Sequence, residues 1–250
     1  MIYHILNGDS LAHNFPEAHF EGEIIVAREA LIDGNADAPE LEAFWNMRAD
    51  YLGITMAEYE NQVVTEFNRI LQAPENSEFN LWFEYDLFCQ VNMWFVISLL
   101  HSIDLKKKVF AVYTTHLDRS SKYFWNGFGP AKTEDLITCY NNRILLNDAD
   151  LEFGKNFWEA YKANNREDLK ALSEVAPPSF PFVKEVIEAQ LDRFPEDGST
   201  GRPEKLIEYI TANISTDFPT VFREFWNRES IYGFGDTQLK KLYDKVMSER

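Results

Sequence analysis

Hydrophobic positions in the first half of the chain fall into two kinds of run. IYHIL (2–6), EIIVA (23–27), FNLWFE (79–84) and KVFAVYT (108–114) are short, nearly continuous and rich in β-branched or aromatic residues, with turn residues at their ends. Continuous apolar runs of this length suit strands covered on both faces, as in a parallel sheet. Between them, 10–19, 39–52, 55–72 and 86–102 carry apolar residues at helical spacing. Strands joined by helices imply βαβ units with right-handed crossovers. The excursion over 39–72 is longer than one crossover helix and predicts a helical pair over one sheet edge. After about residue 130 the strand signals disappear. TEDLITCYNNRILL, LEFGKNFWEAYKAN, REDLKALSEV, FVKEVIEAQLDRF, PEKLIEYITANI, FPTVFREFWNRE and DTQLKKLYDKVM all read as helices, punctuated by Pro177, Pro178 and Pro181 and by 195–199. The expected architecture is α/β: a Rossmann-like, mostly parallel sheet over 1–130, then an all-helical region over 131–250 with a helix-turn-helix-like subdomain from about 200. GFG occurs at 127–129 and 233–235, too short a match to read as a duplication.

Composition narrows the function classes. With 45% hydrophobic and 15% aromatic residues in 250, the chain has ample material for a core and is not a disordered sequence. Its net charge of −17 disfavours nonspecific binding to nucleic acid or anionic membrane. No run approaches a membrane span, MIYHILNGDS lacks a signal-peptide layout, and Cys89 and Cys139 lie far apart in apolar surroundings. A cytoplasmic protein with reduced thiols is expected. Acidity belongs mainly to residues 1–150; residues 201–250 hold 8 basic and 8 acidic side chains, without the basic excess of a DNA reader.

The candidate chemistry follows the strands. Asn7-Gly8-Asp9-Ser10 comes after the first, Arg28-Glu29 after the second, Glu84-Tyr85-Asp86 after the third and Thr114-Thr115-His116 after the fourth. In a parallel sheet these carboxyl ends share one rim, where ligands bind. Glu84, Asp86 and Asp9 as metal ligands would hold a hard cation such as Mg²⁺ or Mn²⁺. Arg28 would clamp a phosphate, and Asp9, Glu84 and His116 would serve as acid, base or proton carrier. Asn7, Gly8, Ser10 and Glu29 complete the ligand-binding set with Gln90, which lies one helical turn after Asp86. Plainer roles stay open beside these. Asp9, Ser10 or Asp86 would cap the helix that follows, Arg28 would pair with Glu29 or Glu84, Gln90 would bond backbone, and His116 would be a hydrogen-bonded surface residue. Phe157-Trp158 and Phe225-Trp226 have core spacing. No P-loop, G-x-S-x-G, G-x-G-x-x-G, H-E-x-x-H or paired C-x-x-C occurs. The expected function is binding, with metal-assisted hydrolysis or transfer, of a phosphorylated small molecule or nucleotide; the alternative is a regulatory module binding DNA or protein through its helical end.

HILNGDSL, IIVAREALIDG and LWFEYDLFCQVN also resemble the bacterial family catalogued as domain of unknown function 1835. The matching positions are His4, Asn7, Gly8, Asp9 and Ser10; Arg28, Glu29 and Leu31; and Trp82, Phe83, Glu84, Asp86, Leu87 and Gln90. NGFGP (126–130) and the stretch from FWEAYKANNREDLKAL to PFVKEVIEAQLDRFP are similar to later parts of that family. Tyr85 stands where the family commonly has His, and Cys89 where it has a second Asp, which weakens any mechanism needing a base or a fourth carboxylate there. The resemblance implies a cytoplasmic bacterial protein with a winged-helix or helix-turn-helix tail, and it brings no assigned activity.

Overall fold

The computed structural model describes residues 1–249. Its centre is a five-stranded sheet in the order β2-β1-β3-β4-β5, built from β1 (Ile2–Asn7), β2 (Glu23–Ala27), β3 (Ser77–Trp82), β4 (Lys107–Val112) and β5 (Ile144–Leu146). The first four strands are parallel and β5 is antiparallel to β4. Neighbouring residues in the parallel strands face opposite cores, which is why their sequences are apolar without alternation. Ile5, Leu81 and Ala111 join the larger core, whereas Leu6, Trp82 and Val112 join the smaller one.

Each face has its own helices. On the smaller-core side lie α1 (Asp9–Asn14) and α6 (Thr133–Asn141), with Leu11, Phe15, Leu136 and Cys139 packed on Trp82. The larger core takes α2 (Leu41–Leu52) and the helix from α3 (Met56–Tyr59) through a π turn (Glu60–Val64) to α4 (Thr65–Leu71). It is completed by α5 (Leu87–Ser102) and α7 (Asp148–Lys162). α5 is apolar nearly all round because sheet and helices enclose it. The 39–72 excursion is the expected helical cover, with α4 against edge strand β2.

β5 departs from the expectation of an all-helical second half. RILL fits a helix in the sequence because three residues are too few to show a period of two; α6 ends at Asn141 and the chain returns along β4. The expected strand 79–84 also ends earlier, at Trp82, so that Phe83–Asp86 leave the sheet. The remaining helices are α8 (Arg166–Glu174), α9 (Val183–Arg193), α10 (Arg202–Asn213), α11 (Phe218–Glu229) and α12 (Asp236–Ser248). α10, α11 and α12 contact one another, and the 3-10 turn Ser230–Tyr232 anchors them to α5 and α9.

Candidate functional site

Strand order reverses at β1: one connection leaves it through α1 towards β2, while β3, its other neighbour, sends its chain to α5 on the opposite face. Two connections diverging to opposite faces leave a crevice between the carboxyl ends of β1 and β3. A cavity of about 430 Å³ occupies that place, a size suited to a metabolite. Asn7, Ser10 and Leu11 line it from the β1 side, and Trp82, Glu84, Asp86, Phe88 and Cys89 from the β3 side. The loop Tyr123 to Pro130 and the C-terminal helices close it with Phe128, Phe222, Trp226 and Phe234. Both GFG triplets therefore reach the same cavity, one from the middle of the chain and one from near its C-terminus.

Glu84 and Asp86 form its acidic floor. Asp86 caps α5, its Oδ1 accepting from Cys89 N at 3.0 Å. Its Oδ2 is buried without a partner. Glu84 Oε1 accepts from Phe128 N at 2.5 Å, and Oε2 lies 3.5 Å from Cys89 Sγ. Burial raises both carboxyls above the usual range, and the Asp86 charge raises Glu84 further. Such a pair holds on to a proton that a bound cation would displace. Gln90 bonds the Glu84 carbonyl through Nε2 at 2.7 Å, holding the loop from behind.

Gly233 sets how close the C-terminal wall comes. It has φ +63°, and a Cβ there would run into the Asp86 carboxylate. Only a residue without a side chain lets this backbone pass so near an acidic group.

The other expected site residues lie elsewhere. Asp9 is exposed at the start of α1, where Gly8 is the capping position; its Oδ1 accepts from Arg28 Nε at 2.8 Å. Arg28 is further occupied by the Gln62 carbonyl and Glu66, so neither residue faces Glu84 and Asp86. Among the described residues the close group of potential metal ligands is Glu84, Asp86 and Cys89, with the thiol in the place expected for Asp9. Glu29 is buried beneath the surface, receiving Arg48 Nη2 at 2.9 Å and the Tyr59 hydroxyl at 2.5 Å. It is a strut between β2 and the helices over it. His116 turns to the smaller core, its Nδ1 3.2 Å from Cys139 Sγ and its pKa lowered by burial. It does not line the cavity.

Sequence reasoning missed Cys89, Asn126 and the C-terminal wall. Phe157, Trp158 and Phe225 are core as expected, but Trp226 faces the cavity, its ring 5.6 Å from that of Tyr123. The repeated GFG triplet was the one available signal for that wall. Among the described residues no helix is long and apolar enough to cross a membrane. No family model, curated protein or solved structure matches the chain.

Proposed function

We propose that the cavity between β1 and β3 binds a phosphorylated small molecule or nucleotide through a divalent cation. The cation sits on Glu84 and Asp86, and the organic part of the ligand lies against the rings of Phe128, Trp226 and Phe234. The lining carries this reading: two carboxyls, two side-chain amides and an aromatic wall, with no Lys, Arg or His among the described lining residues. A bare phosphate would meet only acidic groups there, whereas a cation bridges it to them and neutralises both. A cation so held also polarises a phosphoryl oxygen and acidifies a bound water, so phosphoester hydrolysis or transfer is the reaction class.

Two features favour this over a DNA- or protein-binding module. α11 and the segment leading into α12 are used as cavity wall, and residues 201–250 carry no net positive charge. Kinship with the family that the N-terminal segments resemble belongs to the same proposal. Asn7, Trp82, Glu84, Asp86 and Gln90, which are among the residues that carry that resemblance, cluster at this end of β1 and β3. A cytoplasmic location is part of it too, supported by two free cysteines.

The test is a thermal-shift panel of nucleotides and phosphorylated metabolites, each with and without a divalent cation (Mg²⁺, Mn²⁺ or Zn²⁺). A ligand at 100 times its dissociation constant adds about 2.7 kcal/mol. We expect that stabilisation to need the cation and to vanish in Glu84→Gln. A ligand that stabilises equally without cation and in Glu84→Gln would overturn the reading.

A further inference from the structure

Glu84, Asp86 and Cys89 offer one ligand atom each, all within 4.8 Å of one another. Their spacing comes from the loop turning into α5: Asp86 is the cap and Cys89 the third helical residue, so one turn of backbone holds both. Two observations point from this group to an ion. Asp86 is 1% exposed, yet its Oδ2 has no hydrogen-bond partner at the cavity floor. Leaving a buried carboxylate oxygen unpaired is costly unless something else meets it.

The second observation is an amide relay whose direction is fixed at its far end. Leu31 N donates to Asn92 Oδ1 at 3.2 Å, which leaves Asn92 Nδ2 to donate to the Glu29 carbonyl at 2.7 Å and to Asn7 Oδ1 at 2.8 Å. Asn7 must then present Nδ2 to Cys89 Sγ, at 2.9 Å. The relay begins at a backbone N–H, which can only donate, so an N–H is aimed at the sulfur. That is the outer hydrogen bond with which proteins orient a ligating group.

We infer that Glu84, Asp86 and Cys89 bind a divalent transition-metal ion of the zinc class, with Cys89 as thiolate and a fourth position open to water or ligand. This rests on the cation reading of the cavity and specifies the ion. Mg²⁺ and Mn²⁺ favour oxygen, whereas a thiolate among the ligands selects zinc-like ions. Bond lengths of about 2.0–2.3 Å require the donor atoms to draw in by roughly 1 Å from their present spread. The thiol proton leaves to solvent as the metal–sulfur bond forms.

Co²⁺ is the probe, titrated into the full chain after chelator treatment under reducing conditions. One equivalent should produce a sulfur-to-cobalt charge-transfer band in the near ultraviolet, bleached by Zn²⁺. The band should persist in Cys139→Ser, which assigns it to Cys89 without altering that residue, and disappear in Cys89→Ser. Asp86→Asn should weaken Co²⁺ binding at least tenfold. Loss of the band in Cys139→Ser would place the metal elsewhere and overturn the inference. If Co²⁺ bound without the band, and equally in Cys89→Ser, the inference would fall while an all-oxygen cation site survived. Failure of Co²⁺, Zn²⁺, Mg²⁺ and Mn²⁺ alike to bind would remove both.

Discussion

His4 shows how a polar residue in a strand becomes structural. Its Nδ1 accepts from Trp82 Nε1 at 3.1 Å, and its Nε2 lies 3.2 Å from the Glu21 carbonyl. That arrangement needs a neutral ring with its proton on Nε2, because protonating Nδ1 would set two N–H groups against each other. Burial accordingly lowers the His4 pKa. A histidine with a depressed folded pKa contributes stability that is fully present above its unfolded value of about 6.5 and is lost as pH falls through the folded one. Unfolding free energies from urea titration should fall more between pH 7 and pH 5 in the wild type than in His4→Gln. Equal drops would show that the ring titrates as freely folded as unfolded. The sequence placed His4 in a strand but could not show this pairing, since Trp82 is 78 residues away.

Among the elements, β2 and its helices are joined by a buried ion pair. Arg48 is fully buried, and its guanidinium bonds the Glu29 carboxylate and the Ala30 and Asp33 carbonyls. Tyr59 adds its hydroxyl at the start of the π turn. Removing one partner of such a pair strands the other's charge in the core. Glu29→Ala should therefore cost about 3–5 kcal/mol in chemical denaturation without abolishing cation binding at Glu84 and Asp86. A surface-like loss below 1 kcal/mol would contradict the burial described above. At this scale the sequence was most legible: all four parallel strands and the long helices appear near their expected places, because sheet burial writes itself into continuous apolar runs. β5 escaped because it is three residues at an edge, with Leu145 exposed. The rim was half legible. Residues after β1 and β3 converge because the strand order reverses between them. Those after β2 and β4 follow strands on either side of that pair, so the Arg28–Glu29 step and His116 serve local packing.

Over the whole molecule, the cavity depends on contact between the C-terminal helices and the turn that follows β3. Gly233, more than 140 residues after Asp86, passes against its carboxylate, and no local sequence pattern announces a meeting so remote. Gly233→Ala places a side chain at positive φ and into that carboxylate, at about 1–3 kcal/mol of strain. The variant should keep its far-ultraviolet helical signal yet lose the thermal shift induced by cation. A full cation response in Gly233→Ala would mean that the C-terminal wall is dispensable to the site.

Both amides that line this cavity, Asn7 and Asn126, are followed by glycine. A glycine leaves its backbone nitrogen unhindered for attack on the preceding side-chain amide, so an Asn-Gly step is the sequence most open to deamidation. Each event would add a negative charge to a pocket that already holds two carboxyls. At position 7 the product also has no N–H to give Cys89. Stored protein would thus carry an altered cation site while remaining folded, a change invisible to a melting curve without metal and plain in a peptide mass spectrum.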